Sequence, residues 1–258
     1  MLVVRTDWHD AVRGLRLLEP GGLERWLAAA PSGGSGRAAT ALVSVPGGGP
    51  RVVVRRLRHG GLLAPLLRDR YVSPARVLGE LDATARLREA GAPVPEPILA
   101  LATRRGIAFS LALATVHEEG AVDALSFLAS EPEDERLVRA SAAVGGALRR
   151  FHDAGGHHPD LHVKNLLLRE TRAGADALVI DLDRGRLGAP PGPGERAAEI
   201  GRLGRSLLKR RVSERVGERG AAAFLAAYCA GDRALRDALM RRFPAERRKA
   251  RLHALLYR

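Results

Sequence analysis

At 258 residues with 46% apolar side chains, the chain is long enough for one large domain or for two lobes with cores of their own, and only 4% aromatics leaves those cores to Leu, Val and Ala. A formal charge of +13 points to a polyanionic partner (nucleic acid, nucleotide or anionic membrane surface), although the Arg- and Ala-rich codon usage of a GC-rich genome gives the same balance. Composition excludes an intrachain disulfide, because Cys229 is the only cysteine, and a helical membrane span, because the longest apolar run, 107–116, is about half of the ~20 residues that spanning needs. The opening MLVVRTDWHD lacks the basic and long apolar segments of a signal peptide, so a cytoplasmic protein is expected.

In chain order, 1–20 carry no clear pattern, and 21–30 have Leu23, Trp26 and Leu27 at helical spacing. The Gly-rich stretch PSGGSGR leads into AATALVSV, a turn at 47–50 and RVVVRRL, which predicts a hairpin over 37–57. Ser73-Pro74 starts a helix, with Leu78, Leu81 and Ala85 following at three- and four-residue steps until Gly91 and Pro93 end it. Residues 98–103 and 107–116 predict two further strands. The composition then changes near residue 117, which suggests a first lobe at 1–116 and a second at 117–258. In the second, Leu137, Ser141, Val144, Leu148 and Phe151 lie on one helical face. The loop HHPDLHVKN follows, then a short apolar strand at 177–180 delivering two aspartates, a loop at 190–194 and helical pattern beyond Glu195.

Phosphoryl transfer needs one carboxylate to align and deprotonate an attacking hydroxyl, with an amide oxygen and a second carboxylate to hold magnesium on nucleotide phosphates. Asp160, Asn165 five positions on, and Asp181 sixteen beyond that at the end of a strand follow the order of kinase catalytic and metal loops. Asp160 is therefore the candidate base, and Asn165 and Asp181 the candidate metal ligands, with Asp183 auxiliary in the run Asp-Leu-Asp. Lys164, inside the loop, is a candidate contact to the transferred phosphate, or else a solvated side chain. His157, His158 and His162 read as supports of the loop. Arg55 ends the strand VVVR where protein kinases carry lysine, and Glu80 on the following helix is its expected partner. Gly33, Gly34 and Gly36 stand where a phosphate-covering loop belongs. The fold expected is α+β, a two-lobed protein-kinase-like fold with an antiparallel sheet and one helix in the first lobe and a mainly helical second lobe. Basic patches with interleaved aromatics, zinc spacings and recognition helices are missing from the sequence, so no specific nucleic acid is expected.

The segments GRAATALV (36–43), VVVRRLRHGGLLAPLLRDRYV (52–72), GAPVPEPILA (91–100), HHPDLHVKNLLL (157–168), VIDLDRGRL (179–187) and LGRSLLKR (203–210) together resemble the lipopolysaccharide kinase family, in particular its 3-deoxy-D-manno-octulosonic acid (Kdo) kinases. The R-x-x-R-x-G-G-L and D-R-Y elements are more specific to that resemblance than the kinase core, whose second-lobe motifs alone fit any small-molecule kinase. It implies ATP and Mg²⁺ as cofactors and a Kdo hydroxyl on the lipid A inner core as acceptor. It also implies peripheral contact with the anionic inner face of the bacterial inner membrane, with the basic segment from Arg55 to Arg70 steering the glycolipid. A heptose or other small-molecule kinase and a catalytically silent binding module remain the alternatives at this level.

Overall fold

In the computed structural model, the residues described are 1–13, 17, 19, 21–22, 24–25, 40–45, 49–58 and 69–241. The chain divides into two compact units, Met1–Ala85 with Pro95–Glu118, and Arg86–Val94 with everything from Glu119 onward.

The first unit is built on a five-stranded antiparallel sheet. Its strands are β1 (Leu2–Val4), β2 (Thr40–Ser44), β3 (Arg51–Arg56), β4 (Pro97–Arg105) and β5 (Ala108–Val116), in the spatial order β1-β4-β5-β3-β2. In β3 three β-branched residues in a row favour the extended chain, whose period of two buries Val52 and Val54 while Arg51 is left exposed. β4 and β5 form a tight hairpin closed at Arg105↔Ala108, with Gly106 at φ +64° in the turn. The predicted helix is α2 (Ala75–Glu89), after the short α1 (His9–Arg13). Ser73 Oγ accepts from the Ala75 N–H at 3.1 Å, and Gly91, at φ +82°, ends the helix. Leu57, Tyr71, Leu111 and Leu113 pack with Val77 and Leu81 of α2, while Val52, Val54, Ile98 and Ala114 build the core on the other side of the sheet. β1 was not foreseen. Three residues have too little pattern to announce a strand, and β1 exists because β4 offers it a ladder from Leu2↔Leu101 to Val4↔Leu99.

The second unit contains α3 (Ala124–Ala129), α4 (Asp134–Asp153), α5 (Pro193–Lys209) and α6 (Ser213–Cys229), with further helix at 233–241. α4 buries Leu137, Val144, Leu148 and Phe151, four residues of the predicted face. Gly145 lets α4 and α6 approach closely: a Cβ there would lie 2.3 Å from the Phe224 carbonyl oxygen. α5 begins at Pro193, inside the predicted loop, with the Glu195 carboxylate accepting from the Gly192 N–H at 3.1 Å. Two small sheets accompany the helices, β6 (Ala121–Asp123), β8 (Leu166–Thr171) and β9 (Gly174–Val179) in the order β6-β8-β9, and β7 (Gly156–His157) with β10 (Arg186–Leu187). β8 and β9 form a hairpin from Leu166↔Val179 to Thr171↔Gly174, which carries the end of one predicted loop alongside the start of the next.

Candidate active site

The loop after α4 starts at two glycines for a steric reason. Gly155 has φ +83°, and a Cβ on it would fall 2.1 Å from the Gly188 carbonyl oxygen; one on Gly156 would meet the Phe151 ring at 2.6 Å. Without side chains, β7 lies against β10, and the Gly188 N–H donates to the Gly155 carbonyl at 2.9 Å. His157 Nε2 is 2.9 Å from the Ala189 carbonyl oxygen, which ties the next residue to the same flank.

From His158 onward the loop is held by hydrogen bonds on both sides. The His158 N–H donates to Glu199 Oε2 at 2.9 Å, and its ring Nε2 lies 3.1 Å from the Ile180 carbonyl oxygen. The Ile180 N–H donates to the Asn165 carbonyl at 2.9 Å. Ile180 is therefore bonded on one side to the residue two before Asp160 and on the other to Asn165. Sixteen residues of separation between Asn165 and Asp181 close into one site through these two contacts. Val163–Asn165 form a 3-10 turn, and the Asn165 side-chain amide donates to the Asp160 carbonyl at 3.1 Å. Asp160 and Asp181 are exposed, Asn165 is buried, and Lys164 and Asp183 are half-buried. Asp181 sits at φ +63°, a left-handed conformation that Asp tolerates at some cost and that turns the chain sharply after β9.

The charges of Asp160 and Asp181 both act on the His158 ring and on His162, so the two carboxylates surround the same pair of imidazoles. Burial nevertheless holds both histidines below the usual histidine pKa, and they are neutral supports at pH 7. Behind them lies a network that the sequence reading missed. His152, fully buried, has Nδ1 2.6 Å from the Tyr228 hydroxyl and Nε2 3.2 Å from Glu199 Oε2. Desolvation lowers the His152 pKa and raises that of Tyr228, so this contact joins a neutral ring to a carboxylate although its distance qualifies as an ion pair. The partners fix the tautomer: Nε2–H donates to Glu199 and Nδ1 accepts from Tyr228. Burial opposes ionisation of Glu199, but its hydrogen bonds from His152 and the His158 amide outweigh that, and its pKa is lowered. The available signal was a charged residue on the buried face of an amphipathic helix, since Arg196, Ala197, Glu199, Ile200 and Leu203 of α5 are all buried.

In the first unit, Arg55 Nη2 meets Glu80 Oε1 at 2.5 Å, with the Glu80 side chain 2% exposed. The neighbouring Arg56 contacts Asp69 and Glu24, each at 3.2 Å, and Asp69 also accepts from Ser110 Oγ at 3.1 Å. Tyr71 bridges to Phe109 and lies under the Arg76 guanidinium. The D-R-Y element thus has structural work: Asp69 and Tyr71 fasten the chain entering α2. Gly33, Gly34 and Gly36 lie outside the described residues, as do 59–68 and most of the helix predicted at 21–30.

Among the described residues, no three His, Cys, Asp or Glu side chains converge into a resident metal cage. Magnesium carried on nucleotide phosphates needs only one or two protein ligands, and an exposed Asp181 bonded through Ile180 to Asn165 fits that demand. A cavity of about 460 Å³ in the second unit, lined by Phe127, Leu137, Val144, Val163, Leu203 and Phe224 among others, is nearly all apolar and unsuited to phosphate. No helix among the described residues is long and apolar enough to cross a membrane.

Residues 34–228 match the model of the lipopolysaccharide kinase (Kdo/WaaP) family. This chain belongs to that family. A 3-deoxy-D-manno-octulosonic acid kinase of Xanthomonas oryzae pv. oryzae (strain PXO99A) is 34% identical over 190 residues, 71% of each chain. A Vibrio vulnificus (strain YJ016) protein of the same name is 30% identical over 186 residues, 70% of this chain and 75% of the relative. The solved structure of WaaP in complex with acyl carrier protein aligns over the whole of both chains with a TM-score of 0.61 at 21% identity, which shows the two-lobed kinase fold. The family match spans Arg55, Glu80, the 157–165 loop and the Glu199 network alike.

Proposed function

We propose that this member of the lipopolysaccharide kinase family transfers the γ-phosphoryl group of ATP to a hydroxyl of Kdo on the lipid A inner core. The observation that carries the reading is the closure of Asp160, Asn165 and Asp181 into one site through Ile180, in a chain whose 30–34% identical relatives bear the name Kdo kinase.

In this reading the exposed Asp160 carboxylate aligns the sugar hydroxyl and accepts its proton late, because the transition state is loose and needs alignment more than full deprotonation. Asn165 and Asp181 are the magnesium ligands, and Asp183 assists from two residues on. Magnesium held by these residues would offset the phosphate charge that repels an attacking oxygen. Lys164, beside Asn165, supplies a point charge toward the transferred group. Arg55, paired with Glu80, takes the place of the usual lysine on the α- and β-phosphates, and Gly33, Gly34 and Gly36 are the candidates for a phosphate-covering loop. Residues 1–116 hold the nucleotide, and 117–258 carry the catalytic and metal loops. The substrate is an anionic glycolipid, and the protein works at the cytoplasmic face of the inner membrane, held by charge. Arg55 and Arg56 are matched by carboxylates in the folded chain, so they add little to steering the glycolipid.

The test is label transfer from γ-labelled ATP to lipid A precursors with and without Kdo, with the product mass measured. Phosphorylation of the Kdo-bearing acceptor alone is expected. Transfer only to a heptose-bearing core, or to a protein serine, would overturn the acceptor; no ATP consumption with any acceptor would overturn the reaction. If charge alone holds the protein to membranes, a wash at 1 M salt, where the screening length is about 3 Å, releases it without detergent.

A further inference from the structure

We infer that Glu199 and Ser206 of α5 are positioning residues that together clamp the catalytic loop. The Glu199 carboxylate accepts from the His158 N–H at 2.9 Å, and Ser206 Oγ accepts from the Val163 N–H at 2.9 Å. These two amides bracket Asp160, one two residues before it and the other three after. Glu199 and Ser206 are seven residues apart on a 17-residue helix, two turns on one face and about 10 Å along the axis. One rigid rod thus fixes both ends of the segment from which Asp160 projects.

Each contact answers a local need. Val163 is the first residue of the 3-10 turn that ends at Asn165, and none of His162's own side-chain atoms caps it. The N–H groups that open a helical turn have no partner within it. Ser206 supplies that cap from another element, so α5 joins the Asp160 carbonyl and the Ile180 N–H in holding the turn that carries Asn165. His158 is 1% exposed, and its N–H, removed from water, would be costly to leave unpaired. Glu199 meets it, and the neutral His152 ring, held by Tyr228, contacts the same carboxylate oxygen and helps keep it in place. Arg196, one turn earlier, donates to the Pro191 carbonyl at 2.8 Å and pairs with Asp153 at 2.8 Å, which anchors the start of the rod to the end of α4. The loop's own hydrogen bonds, from Leu161 to His158 and from Asn165 to His162, define its curl but not its position.

The inference rests on the proposed role of Asp160 and is tested beside it. A misplacement of reacting groups by about 1 Å costs roughly 100-fold in rate, so Ser206→Ala is expected to lower kcat by about 10- to 100-fold with KM for ATP within about twofold. Ser206→Thr, which keeps the hydroxyl, restores most of the rate. Glu199→Gln, which keeps an acceptor oxygen, retains far more activity than Glu199→Ala. Hydrogen exchange supplies a readout independent of turnover: Ser206→Ala should expose the 157–166 segment to faster exchange while 134–153 keeps its protection. Ser206→Ala with kcat within twofold of the parent, unchanged exchange at 157–166, or faster exchange across the whole second unit would each overturn the clamp. Normal turnover by Asp160→Ala would overturn the functional reading instead, and the exchange experiment would still decide the clamp.

Discussion

Two carboxylates stand at salt-bridge distance from a basic group in the interior, and they behave in opposite ways. Glu80 in the first unit faces Arg55, whose guanidinium stays charged at any ordinary pH and whose side chain keeps 20% of its surface in solvent. Glu199 in the second unit faces His152, which burial keeps neutral, and it accepts from a backbone amide as well. The first is a charge pair between an interior strand and α2, proposed above to meet anionic phosphates. The second is a neutral-ring relay whose product is the position of a loop. Similar distances therefore carry different roles, and the difference lies in which partner can keep its charge after desolvation.

The sharpest way to separate the two regions is at the chemistry itself. Asp181→Asn is expected to abolish label transfer, since the ligand charge is lost, and Asp160→Ala to lower it by at least about 10²–10⁴-fold, the usual scale of general-base help. Both should still bind ATP, measured by equilibrium titration, because the Arg55–Glu80 region is untouched. Near-normal turnover of Asp181→Asn at saturating magnesium would remove Asp181 from the metal site.

Backbone sterics at the loop entrance give the next effect. Gly155→Ala combines a positive φ with a contact 2.1 Å from a carbonyl oxygen, whereas Gly91→Ala, also at positive φ, meets nothing within 4 Å. Gly155→Ala should cost roughly 2–4 kcal/mol in urea unfolding and Gly91→Ala about 1 kcal/mol, the conformational strain alone. Equal losses would mean that β7 and β10 are not pressed together as described.

The charge pair comes third. Removing one partner of a buried pair typically costs about 3–5 kcal/mol; with Arg55 partly exposed, Arg55→Ala should cost up to about 3 kcal/mol and weaken ATP use, and Arg55→Lys should recover part of both. Activity and melting temperature for Arg55→Ala equal to those of the parent would leave Arg55 as one surface arginine among many.

Titration gives a graded effect rather than a single loss. The pKa values of His152 and His158 are lowered by burial, so the unfolded chain binds protons that the folded chain does not. Their contribution is complete above the unfolded value of about 6.5 and is lost as pH falls below it, at up to about 1.4 kcal/mol per pH unit for each ring. Unfolding free energy should therefore be level from pH 7 to 8 and fall between pH 6.5 and 5. A flat profile across that lower window would show the rings to be protonated in the folded protein.

Much of this was legible in the sequence because the signals are local. Ser73-Pro74 and Gly91 mark the ends of α2, the run of β-branched residues in RVVVRR marks β3, and the order Asp160, Asn165, Asp181 marks the candidate site. Other features had no local signal. Asp69 and Tyr71 read only as part of a family-like segment between a strand and a helix, and their partners, Arg56, Ser110 and Phe109, stand as far as 41 residues away. Apolar side chains repeat along an element at its own period, so one segment suffices to reveal them. A hydrogen bond needs only a donor and an acceptor to coincide, whatever their separation along the chain.

The sequence by itself determined the family, the two-lobed kinase fold and the order of the candidate site residues, because capping, β-branched runs and motif spacing act within a few residues. Tertiary structure alone decided that Leu2–Val4 is a strand, that His152 is neutral beside a carboxylate, and that Glu199 and Ser206 reach His158 and Val163 across 41 and 43 residues. Each of these depends on what another part of the chain brings to the same place, a ladder to join, a dry environment or a lone pair, and none of those is a property of the residues' own neighbours in sequence.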